Sequence, residues 1–296
     1  MKTVKKRKIK IKKKNFVIFI LIIIGISTLI TTTTNKLIKL LTSDSKETVK
    51  QEKRKDPHLK FKKFSYFNKN YLNRYLKYEK NNPNLTPKQV VKNVNMNLDK
   101  IKYEDINKTK YLNDPKILVN KYNYLESTYT PENLEIINNN YALNNMKLVN
   151  YAKDAFEAMA KKAKQENLNI IAMSTYRSYD YQIELYNRYV KSDGKEKADT
   201  YSGRPGFSEH QTGLAVDVYN KEKPYTSFEE TKEFTWMQEH AHEFGFILRF
   251  PKEKEAETGY QYESWHYRYV GTEIAKYIKE HNISYEEYYA TKIKDW

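Results

Sequence analysis

Ser208-Glu209-His210-Gln211-Thr212-Gly213-Leu214-Ala215-Val216-Asp217-Val218-Tyr219 reads as a polar loop that ends on a glycine and runs into a strand. Alternation starts at Leu214. Leu214, Val216 and Val218 fall on one side, and Ala215, Asp217 and Tyr219 on the other, which is the period-2 pattern of a strand with one face in a core. Asp217 therefore faces away from the apolar side, where a site can form. His210 precedes it by seven residues, in a segment whose Gly203, Gly206 and Gly213 allow close backbone approach.

Working outward, Val149 to Lys164 carries Val149, Ala152, Phe156, Met159 and Ala160 at helical spacing, and Asn169 to Ser174 is a short β-run. Ser178 opens a second helix through Ile183, Leu185, Tyr186 and Tyr189. The stretch from Lys191 to Phe207 reads as a loop. Thr231 to Phe244 is a helix ended by Gly245, and the strand Phe246–Phe250 is stopped by Pro251. Tyr260 to Val270 is strand-like and Thr272 to Glu280 helical, while Ser284 with Glu287 makes a capping box for a last short helix. Helices and strands mix without regular βαβ alternation. The expected class is α+β, with a mostly antiparallel central sheet flanked by helices.

His210 and Asp217 find their complement in Glu263-Ser264-Trp265-His266-Tyr267-Arg268-Tyr269. Together these offer two imidazoles, one carboxylate and a separate second carboxylate. Three protein ligands leave a fourth position for water, and a nearby Glu can take the proton when that water attacks, so the set describes a hydrolytic zinc site. Either half alone is a common coincidence; the conjunction carries the reading. Trp265 is a natural wall for a dry site. His240 and His242 sit about 200° apart around a helix and cannot share a metal; they read as structural or surface residues, as do His58 and His281. Arg177 stands at a strand-to-helix junction and Gln182 in the first turns of the following helix. On their own residues these two are weak candidates, and a surface ion pair is the preferred reading of a single Arg such as Arg177.

The chain has 296 residues with a net charge of +16, yet 17 Lys and Arg against 4 Asp and Glu lie in residues 1–60, so +13 belongs to the head and +3 to the remainder. The basicity is local, which argues against a nucleic-acid partner. Nine Lys or Arg fill residues 1–14 and an apolar run extends from Phe16 to Ile30, followed by Thr31 to Thr34. Positive charge holds that flank in the cytoplasm and sends the rest outward. No small-x-small cleavage site follows, which favours an uncleaved anchor at 15–34 over a signal peptide. The sequence holds no Cys, excluding a lipoprotein and any disulfide. Residues 35–63 read as a stalk. Residues 64–114 read as a small N-terminal extension packed on the catalytic region, with Thr86 as N-cap and Pro87 at the first position of a helix.

Four segments also resemble a known family. They are Ser174 to Gln182, Arg204 to Asp217, Gly245 to Pro251 and Glu263 to Gly271, which look like the successive motifs of VanY-type D-alanyl-D-alanine carboxypeptidases over roughly residues 115–290. The resemblance implies a hedgehog-like zinc peptidase fold over 115–296 and one Zn(2+) per chain, bound by His210, Asp217 and His266. It further implies Glu263 as general base, Arg177 polarising the scissile carbonyl, and Ser208 and Gln182 contacting the terminal D-Ala. Ser264 stands where Pro is usual before Trp-His, and His240 where Asn is common. The expected substrates are peptidoglycan stem peptides, which lie outside the cytoplasmic membrane and match the outward topology. An L,D-carboxypeptidase or endopeptidase on the same peptides is the alternative, and a non-catalytic wall-binding module a third reading.

Overall fold

The computed structural model of the chain describes residues 32–39 and 59–294. The chain divides into two units, Met1–Leu59 and Lys60–Trp296. In the first, residues 32–39 are helical and exposed. The expected anchor otherwise lies outside the described residues, among which no helix is long and apolar enough to cross a membrane.

The second unit is built on short strands. They are β1 (Asn107–Lys108), β2 (Asn123–Tyr124), β3 (Leu134–Ile136), β4 (Lys147–Val149), β5 (Ile171–Ser174), β6 (Ala215–Tyr219), β7 (Phe246–Leu248) and β8 (His266–Tyr269). The central sheet has the order β5-β6-β8-β7 with every pair antiparallel, as the α+β expectation required. β3 and β4 form a separate antiparallel pair, and β1 and β2 a two-residue parallel one. Register matters for the site: Asp217 pairs with His266 on β8 and, across a bulge in β5, with Ser174. A bulge bends its strand and re-aims its side chains, here at the end of the sheet where Asp217 stands.

The core lies where alternation placed it. Leu214, Val216 and Val218 are buried together with Tyr267 and Phe246. Against them packs the helix Asn150–Gln165, through Ala152, Phe156, Met159, Ala160 and Ala163. Burying a side chain such as Phe156 contributes about 1.5–3 kcal/mol, enough to lock the sheet's apolar face. The opposite face is left for polar side chains.

The N-terminal extension has its own apolar cluster, yet belongs to the same compact unit as the sheet. Helices Leu72–Asn81 and Pro87–Asn95 bury Tyr75, Val90, Val91 and Val94 around Phe61. Thr86 is the N-cap that the sequence placed there, and with Gln89 it forms a full capping box. Lys92 pairs with Glu287 at 2.7 Å, tying this cluster to the C-terminal helices.

Several boundaries differ from the sequence reading. The stalk does not run to residue 63, because Leu59–Lys62 is already helical and Phe61 is buried. The stretch after Lys191 holds the end of the helix Tyr179–Asp193 and a further helix, Lys195–Tyr201. In the first of these Ile183 is exposed, while Gln182 and Tyr186 face inward. Only His266–Tyr269 of the expected strand Tyr260–Val270 joins the sheet. Upstream, the amides of Gln261, Tyr262 and Glu263 bond to Thr200, the Glu255 carboxylate and Phe250 in turn, which makes a tied loop. The strand before Pro251 ends at Leu248. The last capping box is half formed: Ser284 accepts from the Glu287 amide, but the Glu287 carboxylate turns to Lys92.

Candidate active site

Three donors converge on the two inner strands of the sheet and the turn that precedes them. His210 sits on the one-turn helix Glu209–Thr212, Asp217 on β6 and His266 at the start of β8. One ligating atom from each lies within 4.8 Å of the others, and all three residues are buried. The turn carrying His210 closes on Gly213 at φ +67°, where a Cβ would come within 2.8 Å of Leu134 Cδ2 and 3.0 Å of Val149 Cγ2. A glycine is therefore required on both conformational and steric grounds.

Hydrogen bonds orient the rings. His210 Nδ1 donates to the Thr175 carbonyl at 2.7 Å, so its Nε2 is the unprotonated nitrogen and faces Asp217 Oδ2 at 3.4 Å. His266 places Nδ1 2.8 Å from Asp217 Oδ1 and Nε2 2.9 Å from Glu209 Oε1. Arg177 donates through Nη2 to Asp217 Oδ2 at 2.6 Å, and through Nε and Nη2 to Ser174 Oγ. Its partner is thus a buried site carboxylate, not a surface acid.

The charges respond to this packing. Burial pushes Asp217 upward, but His210 and Arg177 outweigh it and hold the carboxyl well below the usual range. Burial lowers His266, whereas bonds to Asp217 and Glu209 reverse that and hold it up at about 9. His210 is lowered by burial and then by Arg177. Glu263, 3.9 Å from His266 Nδ1, is pushed up to about 8, chiefly by burial. It is thus poised near neutrality beside the triad without belonging to it, the position and proton affinity that a general base needs.

Two imidazoles and a carboxylate from a buried cluster fit a borderline ion such as zinc better than Ca²⁺ or Mg²⁺, which take oxygen ligands. A cleft of about 600 Å³ opens onto the cluster, lined by Arg177, Ser208, Glu263 and Trp265 among others. Tyr181, Tyr189, Tyr201 and Tyr225 supply aromatic wall, with Tyr225 edge-on to Trp265 at 5.0 Å. Gln182 is placed differently from the expectation: it lies behind this wall, its Nε2 donating to the Gly203 carbonyl at 2.7 Å while its buried Oε1 has no partner. His240 lies beside Glu243, and His281 stacks on Tyr277; His58 is outside the described residues.

The sequence reading missed the charges behind the site. Arg249 and Arg268 are fully buried, Arg249 bonding Glu209 at 2.9 Å and Glu286 at 2.6 Å, and Arg268 bonding the Ile117 carbonyl at 2.7 Å. A signal was available: both arginines interrupt apolar or aromatic runs that must enter the core, and buried charges need partners.

The segment that carries this site resembles known proteins. Residues 145–272 match the family model of VanY D-alanyl-D-alanine carboxypeptidases. The protein YodJ of Bacillus subtilis (strain 168) is 38% identical over 179 residues, covering 58% of this chain and 66% of that relative, just under two thirds of its length. The structure of the LD-carboxypeptidase LdcB is 34% identical, covering 65% of this chain and 97% of LdcB, with a TM-score of 0.57. A crystal structure of the vancomycin-resistance D,D-pentapeptidase VanY from a VanB-type cassette, in complex with Zn(II), is 32% identical, covering 59% and 98% of the two chains, with a TM-score of 0.52.

Proposed function

The chain belongs to the VanY family of D-alanyl-D-alanine carboxypeptidases, and on that premise we propose that it is a zinc enzyme removing the C-terminal D-Ala from peptidoglycan stem peptides. The observation carrying this reading is the convergence of His210, Asp217 and His266 within 4.8 Å, with Glu263 outside the triad in the same cleft. His210, Asp217 and His266 hold the ion. When bound, zinc would supply a Lewis acid and a water whose pKa is lowered to roughly 7.

The chain's own residues do the rest. Glu263 accepts the proton of the attacking water and returns it to the departing amine. Arg177, fixed by Ser174 and Asp217, donates to the carbonyl oxygen as negative charge builds on it. Ser208, on the cleft wall, meets the terminal residue, while Gln182 supports that wall through Gly203. Trp265 and the cleft tyrosines limit water, which strengthens each of these interactions.

A second reading, release of D-Ala from tetrapeptides, is favoured by the likeness to the LD-carboxypeptidase LdcB. Mass spectrometry of pentapeptide and tetrapeptide stems incubated with the zinc-loaded protein separates the two. Loss of one D-Ala from pentapeptide alone supports the first, and loss from tetrapeptide alone the second. The proposal also places the catalytic unit outside the cytoplasmic membrane on an uncleaved anchor at residues 15–34, supported by the nine basic residues that precede it.

A further inference from the structure

Lys121 belongs neither to the triad nor to the cleft lining, and it lies outside the segment matching the family model, yet its side chain is buried. Its ammonium donates to two backbone carbonyls from separate parts of the chain, those of Asp199 and Gly259. It also stands 4.2 Å from the centroid of the Tyr260 ring, a cation–π contact. A buried ammonium is costly unless its donors are satisfied, so the backbone around it is committed to one arrangement.

Both carbonyls stand just before stretches of the cleft wall. Asp199 lies in the helix Lys195–Tyr201, and Tyr201, Ser202 and Gly203 line the cleft. Gly259 follows the helix Glu255–Thr258 at φ +77°, and the chain then runs through Tyr260 and Gln261 to Glu263, all three on the wall. The two stretches are zipped one step further on, where the Gln261 amide bonds the Thr200 carbonyl at 2.8 Å. Tyr260 carries the restraint inward. Its ring packs on Phe250 with centroids 4.7 Å apart, and the Phe250 carbonyl accepts the Glu263 amide at 3.1 Å.

We propose that Lys121 is a positioning residue for Glu263: its ammonium pins the carbonyls of Asp199 and Gly259 together and so fixes the loop that delivers the general base to the cleft. Removing the ammonium leaves both carbonyls without this donor and frees the loop to shift. A displacement of about 1 Å in a reacting group costs on the order of 10²-fold in rate.

The inference rests on the carboxypeptidase reading, and its test separates the two. Full-length, zinc-loaded wild type, Lys121→Met, Glu263→Gln and the double variant are assayed on stem pentapeptide and tetrapeptide. In Lys121→Met kcat should fall about 10–100-fold, with KM and zinc affinity as in the wild type. In the Glu263→Gln background the same substitution should cost less than about twofold, because a residue acting through Glu263 has nothing left to position. Should Lys121→Met not fold, Lys121→Gln, neutral and one atom shorter but still a donor, is read in the same way. An unchanged kcat in the folded single variant overturns the role of Lys121, and so does a raised KM with kcat kept. A loss that repeats in full on top of Glu263→Gln also overturns it, since Lys121 would then act on the fold at large. A wild type that cleaves neither peptide overturns the carboxypeptidase reading, and the role of Lys121 with it.

Discussion

Thr175 and His210, 35 residues apart, are joined by a 2.7 Å hydrogen bond from the imidazole Nδ1 to the backbone carbonyl. The bond clamps the turn after β5 to the turn before β6, and so aims one ligand at Asp217 before any ion arrives. Metal content should follow this geometry. His210→Ala, Asp217→Ala and His266→Ala should each take up little zinc by elemental analysis, whereas His240→Ala and His242→Ala keep it. A zinc-free His242→Ala variant alone would place the site elsewhere.

Glu263→Gln should separate binding from chemistry. Glu263 lines the cleft outside the triad, so zinc content stays, while turnover falls on the order of 10²–10⁴-fold for a lost acid-base group. Loss of zinc in this variant would make Glu263 a ligand.

Arg177→Lys keeps the charge but loses the planar fork that meets Ser174 and Asp217 together. Turnover should fall at least tenfold, about 1.4 kcal/mol of transition-state stabilisation, with zinc retained. Unchanged kinetics would reduce Arg177 to a structural partner of Asp217.

The metal-free protein should lose stability as the solution becomes alkaline. Glu209, Asp217 and His210 have folded values depressed from 4.5, 3.8 and 6.5, so they stabilise above those values and the gain is lost in acid. Glu263 is raised from 4.5 to about 8 and His266 from 6.5 to about 9, so their contributions are complete below 4.5 and 6.5 and vanish through 8 and 9. Urea unfolding should therefore give a higher stability at about pH 5 than at about pH 8.5 without zinc. Added zinc should restore the alkaline side, because it binds the deprotonated ligands. A metal-free stability that rises toward pH 8.5 would contradict this balance.

The sheet and the triad were legible because they rest on local pattern. Alternation at Leu214–Tyr219 put Asp217 on the polar face, and the register that sets His266 opposite it follows from pairing those two strands. What was not legible depends on distant chain. Nothing near Gly203 says that Gln182 will bond its carbonyl, and nothing near Tyr260 says that loop amides will be taken by Thr200 and Phe250. Arg249 and Arg268 were visible as charges in apolar runs, but their partners Glu286 and Ile117 come from opposite ends of the unit.

The most direct measurement removes and restores the metal. Stem pentapeptide is incubated with the zinc-loaded protein, with the protein after chelation, and with the chelated protein resupplied with zinc, and the peptides are weighed by mass spectrometry. The account predicts loss of one C-terminal D-Ala in the first and third samples and intact peptide in the second. Cleavage that survives chelation at full rate, or intact peptides in all three, would contradict it.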